Sequence, residues 1–147
     1  MSRRPRPPEE GLFNRLMVTQ TIVSGLVMGV LAFSTWAWLL AQGIGVPEAR
    51  NFVLLLMVLL ENVHVFNCRS ERFSAFRVPL RRNRLLIGGV LIAQSLHILV
   101  MQWPFMQRVL GVAPVTFSAW LSLLALAGFL IVPMEIYKYL RQRTATG

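Results

Sequence analysis

LMVTQTIVSGLVMGVLAFSTWAWLL, residues 16–40, runs from Leu16 to Leu40 without one charged side chain. A helix needs roughly 20 predominantly apolar residues to cross a hydrocarbon core. This stretch is long enough, and it ends in Trp36 and Trp38, where an aromatic pair belongs at a membrane–water interface. It is too long for the apolar region of a secretory signal peptide, and no convincing small-residue cleavage site follows it, so it reads as a retained span. The rest of the chain agrees. Of 147 residues, 55% are hydrophobic and only 14% charged, and the mean hydropathy of +0.57 is too high for an ordinary soluble domain of this length.

Three more runs are long enough to cross. The second starts near Asn51 and has a clean apolar core from Phe52 to Leu60, after which Glu61, Asn62, His64 and Asn67 make its lower half polar. The third, about 85–103, carries Gln94 and His97, and the fourth, about 115–137, carries Pro133 and Glu135. These runs predict an all-α polytopic integral membrane protein with four transmembrane helices, at about 16–40, 51–68, 85–103 and 115–137. A Pro/Arg-rich linker over 1–15 and a short tail over 141–147 flank the four-helix membrane domain of 16–140. The Pro104 to Pro114 connection is apolar for a loop and suits a short interfacial helix. Pro133 removes the donor that would bond the carbonyl of Phe129, so a kink is expected there.

Charge gives the orientation. The chain holds 15 Lys+Arg against 6 Asp+Glu, a formal net charge of +9. Arg3, Arg4, Arg6 and Arg15 precede span one, six arginines from Arg69 to Arg84 follow span two, and Lys138, Arg141 and Arg143 end the chain. The two connections on the other side keep only Arg50 and Arg108. Basic residues in short loops are retained on the cytoplasmic side, so both termini are expected to be cytoplasmic. The positive charge is thus a topology signal, and nucleic acid is not expected as a partner. The lipid bilayer is. Arginine outnumbers lysine 14 to 1, a bias that suggests a GC-rich bacterial genome and hence an inner (plasma) membrane.

Several chemistries are excluded. The sequence has no Asp and no Gly-rich phosphate loop, which removes aspartyl-phosphate chemistry and Walker-type nucleotide binding. The single cysteine, Cys68, allows no internal disulfide and no cysteine-cluster zinc site. His64, His97, Glu61 and Glu135 form no recognisable catalytic motif, so an enzyme acting alone is not expected.

Glu61 is the most informative position. A carboxylate within a span costs about 2.5–3.5 kcal/mol on insertion scales if it faces lipid, so it should face a helix, water or a cation. At about 100° per residue, His64 and Cys68 fall on the same side as Glu61, with Asn62 and Asn67 well off that line. Two readings stay open for Glu61 and His64: a cation or proton site, or a polar pair that orients helices while the glutamate reaches toward the basic loop. Gln94 and His97 are spaced to meet that face by interhelical hydrogen bonds. Glu135 is placed for a local ion pair with Lys138. Gly25 and Gly29 form a GxxxG pair, and Gly89 with Ala93 a second small-residue pair. Such faces serve either packing among these four helices or an interface with another polypeptide. Cys68 beside the basic loop reads as a buried thiol or as an acylation site.

The segments LLENVHVFNCRSERFSAF (Leu59 to Phe76), IAQSLHILV (Ile92 to Val100) and AWLSLLALAGFLIVPMEIYKYL (Ala119 to Leu140) resemble the carboxy-terminal membrane region of cation-transporting P-type ATPases of the calcium-pump branch. RRPRPPEEGLF (Arg3 to Phe13) is similar to the cytosolic link before that family's seventh helix. The resemblance covers nearly the whole chain and implies that the four spans correspond to the seventh to tenth helices of a pump. It implies that Glu61 matches an acidic position on the eighth helix that supplies a cation ligand in some calcium pumps, with His64 where an amide is common. A histidine there departs from the pattern, because imidazole suits softer ions than calcium. The family's phosphorylation motif, nucleotide and actuator domains and first six helices have no counterpart in these residues. The resemblance therefore implies a transport-associated subunit or fragment unable to pump alone, with a P-type ATPase chain or another membrane protein as partner. No cofactor is implied beyond a bound cation, calcium or another, at Glu61 and His64. A structural or regulatory membrane protein without an ion site is the competing expectation.

Overall fold

Lipid offers no hydrogen bonds, so each apolar run must close its own backbone ladder as helix. The computed structural model describes residues 15–69 and 83–144. It contains α1 (Arg15–Ala41), α2 (Val46–Asn67), α3 (Arg84–Gln102), α4 (Pro104–Leu110), α5 (Phe117–Gly128) and α6 (Ile131–Thr144). No strand occurs among the described residues. Four stretches are long and apolar enough to cross a membrane: Met17–Ala41, Val46–Asn67, Arg84–Gln102 and Phe117–Arg141. The chain is an all-α integral membrane protein of four spans, the last divided between α5 and α6. Apart from Arg15, the expected linker over 1–15 lies outside the described residues, as does most of the basic connection after α2.

The helix ends follow local chemistry. α1 stops where Gly43 takes φ 80°. There the Gly43 amide bonds the Leu40 carbonyl and the Ile44 amide bonds the Leu39 carbonyl, a paired closure that glycine permits because it has no Cβ to clash. α2 then begins at Val46, five residues ahead of Asn51, because Pro47 suits the first turn and Glu48 lies at the positive end of the helix dipole. α4 is the short helix expected between Pro104 and Pro114. Its apolar residues Phe105, Val109 and Leu110 are exposed.

The kink falls where Pro133 requires it. Phe129 and Leu130 donate to the carbonyls of Leu126 and Ala127, each three residues back, and the Phe129 carbonyl accepts from the Val132 amide. The carbonyl that proline deprives of its usual donor is thus used by a tighter turn.

α2 is central. Leu55, Leu56, Leu59 and Leu60 are buried against Leu123 and Ala127 of α5, Leu130 between α5 and α6, and Met134 of α6. Val23, Val27, Met28 and Leu31 of α1 pack on the same cluster. α3 stands further out, with Met101 its one buried residue. Asn51, 4% exposed, ties α2 to the segment before α5. Its Nδ2 donates to the Ala113 carbonyl at 2.9 Å and its Oδ1 accepts from the Ala113 amide at 3.1 Å. Asn51→Leu keeps the branched shape of the side chain but removes both bonds to Ala113, at a cost of about 0.5–1.5 kcal/mol for each hydrogen bond lost. The expected result is a lower unfolding midpoint in micelles together with faster amide exchange at Ala113.

Candidate functional site

The polar residues of α2 divide among different neighbours. Asn62 Nδ2 donates to Gln94 Oε1 of α3 at 2.8 Å. His64 Nε2 lies 3.2 Å from Cys68 Sγ and 3.4 Å from Ser24 Oγ of α1, and Ser24 Oγ donates to the Thr21 carbonyl. Asn67 receives Lys138 of α6, whose Nζ donates to its Oδ1 at 2.7 Å and to its carbonyl at 3.0 Å. Lys138 Nζ also lies 3.7 Å from Glu135 Oε1. The local ion pair expected between Glu135 and Lys138 is present. It forms part of a larger contact that joins α6 to the end of α2.

Glu61 behaves differently. Its side chain is exposed on the surface of α2, and among the described residues it has no hydrogen-bond or ion-pair partner. No hydrogen bond joins it to His64, although the two share one side of the helix, because His64 is engaged by Cys68 and Ser24. Gln94 reaches Asn62 and not Glu61. Both Gln94 Nε2 and His97 Nε2 are buried without a partner. No group of three or more His, Cys, Asp or Glu side chains able to hold a metal occurs among the described residues. A site built on Glu61 and His64 alone would therefore supply few of the six to eight oxygens that calcium takes.

Among the described residues, Gly25 and Gly29 do not pack against another helix. A Cβ built on either meets nothing within 4 Å, and the same holds for Gly89. Among the described residues α2 and α6 approach α1 through its Val23, Val27, Met28 and Leu31 side, which leaves the side of the GxxxG pair open. Sequence reasoning missed Ser24, Asn51, Asn67 and the burial of Lys138. The available signal was composition: Lys138 is the single lysine among fourteen arginines, and a compact ammonium suits a small polar niche that a planar guanidinium does not.

The family description "Cation transporting ATPase, C-terminus" matches residues 1–140. The chain belongs to this family. It is 32% identical over 127 residues to the "Probable cation-transporting ATPase F" of Mycobacterium tuberculosis, an alignment that covers 86% of this chain and 14% of the relative. It is 29% identical over 131 residues to the "Calcium-transporting ATPase" of Bacillus subtilis, again 86% and 14%. Identity to the "Endoplasmic reticulum calcium ATPase srcA" of Aspergillus fumigatus is 26% over 99 residues, 67% of this chain and 10% of that one. This cation-ATPase carboxy-terminal chain thus spans about a seventh of the length of the first two relatives.

In this family member the Lys138 contact is buried on both sides, with Lys138 4% and Asn67 3% exposed. Lys138→Met should lower the unfolding midpoint in micelles by an amount equivalent to about 1–3 kcal/mol, the cost of leaving buried acceptors without a donor. Retention of full stability would mean that Asn67 finds another partner.

Proposed function

We propose that these four spans act as the carboxy-terminal helix bundle of a cation pump, alongside helices and catalytic domains that lie outside these 147 residues. The supporting observation is Glu61, a carboxylate within a candidate span, exposed on α2 and without a partner among the described residues. In hydrocarbon such a group is costly unless something completes it. A cation shared with further polypeptide completes it, and a carboxylate oxygen suits a hard ion such as calcium. The imidazole of His64, which argued for a softer ion as long as it stood with Glu61, is engaged elsewhere. Three further features support an incomplete surface: the open side of Gly25 and Gly29, the orphaned Gln94 Nε2 and His97 Nε2, and the outlying α3.

On this reading the module does not hydrolyse ATP alone. Both termini face the cytoplasm, as the arginine asymmetry requires, and a bacterial plasma membrane is the proposed location. The partner is the remainder of a P-type ATPase, on the same or another polypeptide.

The test begins with a mild-detergent pull-down from native membranes through a tag at the C-terminus. Recovery with the missing pump helices and catalytic domains is expected. In that assembly, Glu61→Gln should leave the amount and composition of the complex unchanged while weakening the cation dependence of ATP hydrolysis by about tenfold or more, equivalent to ~1.4 kcal/mol or more of lost ion binding. Recovery of this chain alone or as its own oligomer would overturn the pump reading and leave a structural or regulatory module. An intact complex with unaltered cation dependence would remove Glu61 from the ion site.

A further inference from the structure

The end of α2 carries a second, chemically different group of donors. Met17 of α1, His64 of α2, Cys68 at the end of α2 and Met134 of α6 line one partly open cavity of about 110 Å³ together with Gln20, Thr21 and Asn67, with Cys68 exposed at it. From these residues we infer a binding site for a soft monovalent metal ion of the copper(I) type. Its donors are one thiol, one imidazole and two thioethers, and Glu61 takes no part. The inference is independent of the pump reading, since it concerns a cavity within this chain.

Donor chemistry excludes hard cations. Thiolate and thioether select copper(I), whereas magnesium and calcium require oxygen. Geometry favours a shared ion. His64 Nε2 and Cys68 Sγ, one helical turn apart, already stand 3.2 Å from each other. Two ligands with metal bonds of about 2.0 and 2.3 Å in a tetrahedral arrangement lie about 3.5 Å apart, so a small side-chain rotation admits the ion. His64 Nδ1 is buried without a partner. Ser24 Oγ already donates to the Thr21 carbonyl, so its contact with Nε2 places the ring proton on Nε2; binding the ion moves that proton to Nδ1 and frees the Nε2 lone pair.

Charge selects the valence. The Lys138 ammonium is buried on Asn67, the residue before Cys68. A monovalent ion on one thiolate gives a neutral site beside the Lys138–Glu135 pair, while a divalent ion would leave one further positive charge there. Binding releases the thiol proton to solvent, so affinity falls as pH falls. The ligands come from three helices, and an ion there ties the start of α1 to the end of α2 and to α6.

The whole chain in detergent, kept reduced and anaerobic, would be titrated with copper(I) against a competing chromophoric chelator, with silver(I) as an air-stable second probe. One ion per chain is expected, with a rise in unfolding midpoint that excess calcium or magnesium neither produces nor reverses. Cys68→Ser should abolish binding. His64→Gln, Met17→Leu and Met134→Leu should each weaken it by about tenfold or more, the size of effect that even outer-shell partners of a metal have. The methionine substitutions nearly conserve volume and should leave the fold intact. Loss in Cys68→Ser with unchanged affinity in the other three variants would identify an ordinary thiol and overturn the site. Zinc(II) displacing an equal concentration of silver(I) would overturn the monovalent assignment.

Discussion

Inside a bilayer an apolar side chain gains little by leaving lipid for protein, so helices are held by close packing and by polar groups that have nowhere else to bond. α2 carries this constraint for the whole bundle. Its leucine cluster supplies the packed surface, and its polar side chains reach every other spanning segment. Asn51 holds the approach to α5, Asn62 holds α3, His64 meets α1, and Asn67 holds α6. The remaining helices are arranged around a strut whose polar residues are distributed along its length. The open glycine side of α1 and the outlying α3 are what remains when four helices have only one hub.

The same arrangement separates holding from exposing. The amides of α2 are matched within the chain, while Glu61, the carboxylate in its second half, faces outward. A buried amide is satisfied by a single neighbour at modest cost, whereas a carboxylate in hydrocarbon requires a cation or water. The distribution therefore ranks the polar residues by chemistry, with asparagines used for architecture and Glu61 left at the surface.

Much of the fold was legible because span length and hydropathy are properties of a contiguous run. Leu16 to Leu40, the short helix after Pro104 and the break before Pro133 each follow from local residues. The start of α2 was less legible: Pro47 and Glu48 read as loop residues until their role in a first helical turn is recognised. Partner choice was harder still. Helical spacing gives the direction of a side chain around its own axis, and on that ground Glu61, His64 and Cys68 share a side. It does not say which neighbour stands there. His64 belongs with Cys68 and Ser24, Gln94 belongs with Asn62, and Gly25 and Gly29 face no helix among the described residues. Each outcome depends on a second helix whose rotation is set by the whole bundle.

The divided last span has a mechanical consequence. The segment leading into α5 is fastened to the first part of α2 by Asn51, and α6 is fastened to the far end of α2 by Lys138, with the tight turn at Phe129 and Leu130 between the two fastenings. A rod pinned at both ends to a straight strut and jointed in the middle resists rotation at its pins and yields at its joint. Sideways force on this span is therefore taken up as bowing at Phe129, while the register between its two ends and α2 is preserved.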